Sequence, residues 1–303
     1  MTREERIAIY EVTMKIVNDG YYIKDGKKIP ICINEDDKIL KDTPIFQDGK
    51  DISHIAKSLK CDSSRKLFDE TEVKVINEDT LIAAKNLIAE GLNPSVLNMA
   101  SFVFPGGGVL HGSAAQEENL FRRTDLFKSL YRFHEGAYSY LLPSDQKASK
   151  HYPLSLHHGA IMSQAVTVFR DSEANDYRLL DEPYKVNVVT IAALKNPTLT
   201  KEGKLTREDY EITKEKIRDI LYHSFIVGND SVVLGAMGCG AYRTPPEEIA
   251  KAFKDVLNED DFKGCFKKIV FAIFDDHNSH RPHNPRGNYL PFKEIIEGYG
   301  DSR

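Results

Sequence analysis

The sequence predicts an α/β domain built in layers, and two patterns predict it. Short apolar runs alternate with amphipathic stretches from Glu72 onward, the pattern of strands covered by helices. Glycine clusters follow two of the apolar runs, at Gly106, Gly107 and Gly108 and at Gly238 and Gly240, where a strand hands over to a loop.

Taken in order, residues 3–18 carry Ile7, Ile9, Tyr10, Val12, Met14, Ile16 and Val17 at roughly helical spacing, and Gly20 ends the helix. YYIKDGKKIPICI (21–33) reads as a hairpin turning at Asp25-Gly26. A second short helix is expected near residues 51–59. Residues 1–70 are therefore expected as an accessory segment packed on a main domain of residues 71–303, since no linker composition separates the two. The main domain opens with the strand VKVI (73–76), and Asp79 caps a helix that runs to about Glu90 before Gly91 stops it. SVLNMA (95–100) is a buried strand that leads into the first glycine cluster. Residues 116–134 are expected as one helix with Leu120, Leu126, Phe127, Leu130 and Tyr131 toward the core. Strands follow at 159–162, 166–169 and 186–192, then a long helix at 207–226, a strand at 232–237, a helix at 246–257 and a last strand at 268–274.

The chain has 303 residues, 41% hydrophobic and 29% charged, an ordinary balance for a globular protein. A formal charge of −5 argues against tight non-specific binding to nucleic acid, which needs an excess of Lys and Arg. Cys32, Cys61, Cys239 and Cys265 lie far apart without CxxC spacing, so neither a zinc site nor a disulfide framework is expected, and reduced thiols in the cytoplasm fit better. The start, MTREERIAIYEV, is no conventional signal peptide, and no segment has the length to span a membrane; unconventional secretion would leave no such mark.

The segment PGGGVLHGSAAQEE (105–118) carries the functional reading. Three consecutive glycines make a poor helix or strand and suit a chain that takes left-handed dihedrals or lets a ligand press on bare backbone, as a diphosphate requires. Seven residues later stand Gln116, Glu117 and Glu118, and two adjacent carboxylates suggest proton transfer beside whatever the loop holds. On a helix, neighbouring side chains point about 100° apart, so the two glutamates cannot do the same job. GAMGCGAYRTPP (235–246) ends a strand and opens a helix, so Gly238, Cys239, Gly240 and Ala241 can present amides to a phosphate. DDHNSHRPHNPRGN (275–288) has three histidines and two aspartates, but its prolines exclude the helix on which zinc-binding histidines pair, and a loop rimming the ligand is expected. His111, His157 and His158 read as polar loop residues, with His111 near enough to contact ligand.

GGG followed after a short gap by QEE resembles the motif of the poly(ADP-ribose) glycohydrolases, and the surroundings are similar to the microbial-type branch. VLNMAS (96–101), VTVFRD (166–171), LLDEPYKVNVVTIAA (179–193), GAMGCGAYRTPP and IVFAIFDDHN (269–278) occur in the family's order, over roughly residues 72–298. One position departs: many microbial members have Asn before the Pro-Gly-Gly-Gly where this chain has Phe104. The resemblance implies a macrodomain-like three-layer α/β/α fold with a mixed central sheet, holding ADP-ribose in a cleft. It implies that Glu118 is the general acid–base and that Glu117 orients sugar hydroxyls. It assigns ADP-ribose contacts to Gly106, Gly107, Gly108, Val109, Gln116, Asn98, Gly238, Cys239, Gly240, Ala241 and Tyr242. Tyr242 would lie over sugar or adenine, Asn98 would hold the loop or touch the distal ribose, and Arg243 is a phosphate ligand or a surface charge.

The implied function is hydrolysis of the ribose–ribose O-glycosidic bonds of poly(ADP-ribose), mainly from chain ends, releasing ADP-ribose. One carboxyl can protonate the leaving oxygen and then take a proton from the attacking water, so no metal or other cofactor is expected. Two alternatives share the ADP-ribose half of such a site: hydrolysis of mono-ADP-ribose from a modified protein or nucleic acid, and binding of ADP-ribose without cleavage. The paired glutamates speak against a reader.

Overall fold

The computed structural model describes residues 1–31, 67–157, 159–275 and 279–298. Helix α1 (Arg3–Asp19) starts in a capping box: the Thr2 hydroxyl accepts from the Glu5 amide, and the Glu5 carboxylate accepts from the Thr2 amide. Such a cap contributes about 1 kcal/mol. Gly20 ends the helix in the left-handed region, at φ 76°. The hairpin β1 (Tyr21–Lys24) and β2 (Lys27–Pro30) turns at Asp25 and Gly26, both at positive φ. The helix expected near 51–59 lies outside the described residues, as do Cys32 and Cys61.

The main sheet has six strands: β3 (Glu72–Ile76), β4 (Pro94–Met99), β5 (Ile161–Arg170), β6 (Leu179–Ile191), β7 (Ser231–Leu234) and β8 (Lys268–Ala272). Their order is β3-β8-β7-β4-β6-β5, with every neighbour parallel except β5, which runs antiparallel to β6. The sheet is therefore mixed, as expected. Successive residues of a strand point to opposite faces, and the central pair shows it. Val96 sits opposite Val188 and belongs to one core, whereas Leu97 sits opposite Val189 and belongs to the other. The first core includes Tyr10 of α1, Leu81 of α2 (Thr80–Ala89) and Phe121 of α3 (Gln116–Arg123). The second includes Ile220 of α5 (Arg207–Ile226), Phe253 of α6 (Pro246–Leu257) and Phe292 of α7 (Tyr289–Glu297). The result is three layers, α/β/α.

Three expectations need correction. The single helix over 116–134 is broken: α3 stops at Arg123, and a short α4 (Leu126–Leu130) and a 3-10 turn follow. The cause is tertiary, because Thr124 adopts extended backbone and bridges Val168, while the Asp125 carboxylate accepts from the Thr167 amide at 2.8 Å. The two strands at 159–162 and 166–169 are one strand, β5, with a bulge between Ser163 and Val166 where Ala165 takes φ 47°. Helix α7 is an addition to the expected elements. Its N-terminus is tied by Asp275, whose carboxylate accepts from the Asn288 amide at 2.7 Å.

The layering positions the site. β4, β7 and β8 run parallel, and the two glycine loops and the 275–288 loop all leave from their C-terminal ends. In open α/β sheets ligands collect along that edge. Among the described residues no helix is long and apolar enough to cross a membrane.

Candidate active site

Helix α3 is docked against β4 by its first residue. The Gln116 side chain accepts from the Met99 amide at 3.0 Å and donates to the Leu97 carbonyl at 2.6 Å, which continues the strand's pairing by one more rung. That fixes where the next two side chains point. The Glu117 carboxylate accepts from the Ser101 amide at 2.6 Å and from the Gly106 amide at 3.0 Å, with the Asn98 side-chain amide at 3.5 Å. It therefore clips together the two ends of the 101–106 loop. Glu118 accepts through Oε1 from the Gly108 amide at 2.9 Å, while its Oε2 is buried and makes no hydrogen bond. Both carboxylates lie in the first turn of α3, where the helix dipole favours negative charge. Burial nevertheless raises the Glu117 carboxyl to about 8, outweighing its hydrogen bonds, and the adjacent Glu118 charge adds to the rise.

The glycine triplet is needed for closeness to these carboxylates. Gly107 sits at φ 54°, and a Cβ there would lie 2.6 Å from Glu118 Oε1. Gly106 sits at φ 82°, and its Cβ would lie 2.6 Å from the Phe121 ring. The triplet's amides are all engaged within the protein, since Gly107 donates to the Phe104 carbonyl at 3.0 Å. The expectation of amides held free here for a diphosphate is therefore not met at this loop. Phe104 turns away into an aromatic group, its ring 4.7 Å from that of His134.

The second loop is built differently. Gly238 takes φ 79°, with Ala193 filling the place where a Cβ would go, at 2.9 Å. The Cys239 carbonyl accepts from His283 Nε2 at 2.8 Å and from the Asn284 side chain at 3.2 Å, so His283 and Asn284 brace it from behind. Among the described residues the amides of Gly238, Gly240 and Ala241 have no partner. The Tyr242 hydroxyl accepts from the Phe102 amide at 2.8 Å and so joins this loop to the first one. Burial raises the pKa of that phenol.

A cavity of about 660 Å³ lies between these parts, within the usual range for a small-ligand site. Gly107, Gly108, Gln116, Glu117, Glu118, Gly238, Gly240, Ala241 and Tyr242 are on its wall. Gly106, Val109, Cys239 and Asn98 are not on the wall: all four are buried, and Asn98 reaches Glu117 and, at 3.2 Å, the Thr190 hydroxyl. Arg243 is exposed at φ 61° and away from the wall, and so is His111. His157 is exposed with Glu215 at 3.6 Å, and His158 lies outside the described residues. No group of His, Cys, Asp and Glu suited to a metal occurs among the described residues.

The wall also carries residues that sequence reasoning did not single out. Ala114, Ala115 and Ala193 are small, and Phe274, 68% exposed, stands at the end of β8. Arg6 of α1 and Glu173 form an ion pair at 2.6 Å on the wall, and Asp79 pairs with Arg123 at 2.8 Å. The alanines had no distinguishing signal. Arg6 had none either, because only the fold brings the N-terminus to the cavity.

Comparison with known proteins agrees with this geometry. Residues 11–171 match the model of the catalytic domain of microbial-type poly(ADP-ribose) glycohydrolase. The structure resembles poly(ADP-ribose) glycohydrolase from Thermomonospora curvata with a TM-score of 0.76 and 28% identity, covering 96% of this chain and 99% of that one. The T. curvata enzyme bound to the inhibitor ADP-HPD matches with a TM-score of 0.72 and 28% identity, over 95% of this chain and 98% of that one. The Deinococcus radiodurans enzyme in complex with ADP-ribose matches with a TM-score of 0.66 and 27% identity, over 88% of this chain and 99% of that one. A search of curated proteins returned no match. With the glycine loop and the paired glutamates meeting at one cavity, and with the family model matching over more than half of the chain, the chain belongs to the microbial-type poly(ADP-ribose) glycohydrolases, glycosidases that hydrolyse the ribose–ribose bonds of poly(ADP-ribose).

Proposed function

We propose that Glu118 is the single acid–base group of this hydrolase and that the enzyme releases ADP-ribose mainly from chain ends. The observation that carries the reading is the Glu118 carboxyl itself: the residue lines the cavity, Oε1 is held by the Gly108 amide, and Oε2 is buried without a hydrogen bond. A carboxyl fixed at one oxygen and free at the other can protonate the leaving ribose oxygen as the glycosidic bond lengthens. It can then accept a proton from the water that adds to the oxocarbenium-like ribose. Glu117 orients the loop and the sugar beside it. The free amides of Gly238, Gly240 and Ala241 suit the diphosphate, since outward N–H groups in a turn form an anion site. A cavity of about 660 Å³ suits one ADP-ribose unit, which supports release of single units.

The rest of the reading follows the same lines. Residues 1–70 serve as an accessory layer on a catalytic domain of residues 71–303, supported by the burial of Tyr10, Ile16 and Val17 in the core that holds Phe121. A cytoplasmic setting is supported by Cys239 and Cys265, both buried thiols outside any disulfide. The charge of −5 speaks against nucleic acid at large as partner.

The test is release of free ADP-ribose from purified poly(ADP-ribose). Glu118→Gln is expected to lower release by about 10²–10⁴-fold while ADP-ribose still binds. Unchanged release would overturn the assignment. Oligomeric products in place of ADP-ribose would overturn the chain-end preference.

A further inference from the structure

We propose that Arg122 is a positioning residue that ties the N-terminal helix to the catalytic loop, so that α1 helps to set the geometry of Glu118. The inference rests on the proposed role of Glu118. Arg122 follows the glutamates on α3 and is 0% exposed. A buried guanidinium is costly unless its donors are matched, and a carboxylate is its usual partner. Among the described residues, no carboxylate is within hydrogen-bond reach of Arg122. Its Nε donates to the Arg6 carbonyl at 3.2 Å and its Nη2 to the Ser113 carbonyl at 2.5 Å. Nη1 makes no hydrogen bond, and the guanidinium lies 6.0 Å from the centre of the Tyr177 ring.

The two carbonyls belong to different parts of the molecule. Arg6 is in α1, and Ser113 is in the segment between the glycine triplet and the glutamates. An apolar core residue could not join them; two carbonyls facing one buried point need a side chain with several donors, and the guanidinium fork supplies them. Helix α1 also meets α3 and that segment at one further point each. The Thr13 hydroxyl donates to the Arg122 carbonyl at 2.7 Å. Gly112, at φ 72°, lies so close to α1 that a Cβ there would be 2.4 Å from the Arg3 carbonyl oxygen. On the outer side, the Arg6 side chain reaches the cavity wall and pairs with Glu173, which also accepts from the Tyr177 hydroxyl at 3.1 Å. Helix α1, Arg122 and the catalytic loop thus form one braced unit, and the amides that hold the glutamates belong to that loop.

Two variants by independent routes test this. Arg122→Gln removes the cation, and Gly112→Ala pushes α1 away without touching Arg122. For each, ADP-ribose release, ADP-ribose affinity and hydrogen exchange of the 106–113 amides are measured beside wild type, together with Arg122→Lys. The expected result is a kcat lower by about tenfold to a hundredfold, ADP-ribose affinity within about threefold of wild type, and faster exchange over 106–113. Partial recovery is expected in Arg122→Lys, which restores one donor. Folded variants with wild-type kcat and wild-type exchange would overturn the proposal. So would parallel loss of kcat, affinity and thermal stability with no recovery by lysine, since that is the pattern of a purely structural residue. If wild type itself releases no ADP-ribose, the reading of Glu118 fails, and the exchange data alone decide whether Arg122 braces the loop.

Discussion

The loop at Gly106, Gly107 and Gly108 has its amides engaged inside the protein, whereas the loop at Gly238, Gly240 and Ala241 leaves its amides without a partner among the described residues, on the cavity wall. In sequence both are glycine turns after an apolar strand, and both suit a phosphate cradle. In the structure the first grips two carboxylates and the second is gripped from behind through the Cys239 carbonyl. The difference teaches that glycine serves two ends here: at Gly107 it lets a carboxylate come close, and at Gly238 it lets the backbone turn past Ala193. The first loop should therefore govern the rate and the second the binding of ligand.

Substitutions that separate rate from affinity would break or sharpen that contrast. Among the loop substitutions the largest effect is expected from Gly107→Ala, whose Cβ would meet Glu118 Oε1 at 2.6 Å from a left-handed backbone. A kcat about a hundredfold lower with ADP-ribose affinity nearly kept is the expected outcome by steady-state kinetics and calorimetry; equal losses in both would erase the contrast. Gly238→Ala should do the reverse, weakening ADP-ribose binding by about tenfold, or about 1.4 kcal/mol, because a Cβ 2.9 Å from that of Ala193 shifts the turn. His283→Ala removes one of two donors to the Cys239 carbonyl and should weaken binding by about twofold to tenfold without changing the pH profile of kcat.

The last prediction concerns stability and not rate or affinity. Glu117 has a folded-state pKa raised from 4.5 to about 8, so the folded chain binds this proton more tightly than the unfolded chain does. Its contribution is full below the unfolded value of 4.5 and is lost as pH rises toward about 8. Asp125, raised by burial from 3.8 to about 6, adds to the lower part of the same slope. Thermal melts across that window should show stability falling with pH, and Glu117→Gln should flatten the upper part while leaving the Asp125 part. A Glu117→Gln protein with the wild-type slope would mean that the three donors around Glu117 outweigh its burial.

Much of the fold is legible in the sequence. Helix boundaries at 207–226 and 246–257 follow from local signals, Thr206 and Pro246 at the starts and amphipathic spacing throughout. The break after Arg123 is not legible, because helix propensity runs on through Thr124 and only the pairing of Thr124 and Asp125 with β5 stops it. Helix α7 escapes a sequence reading for a related reason, since its N-terminus is held by Asp275, thirteen positions before Asn288. At the site, the residue pattern suggests the glutamates and the first glycine loop, and the resemblance adds the second loop and the roles. The motif makes Gln116 a ligand contact, yet both ends of its amide are taken by β4.

By itself, the sequence determined the layered α/β class, the order of most of its elements and the chemistry available at residues 105–118, because hydrophobic period, caps and glycine clusters are local properties. Only the tertiary structure decided which backbone amides are used up and which remain, that Glu118 keeps one free oxygen, and that α1 reaches the cavity through Arg6 and Arg122. Those are matters of hydrogen-bond partnership between segments far apart in the chain, and a donor's partner is settled only when the chain has folded.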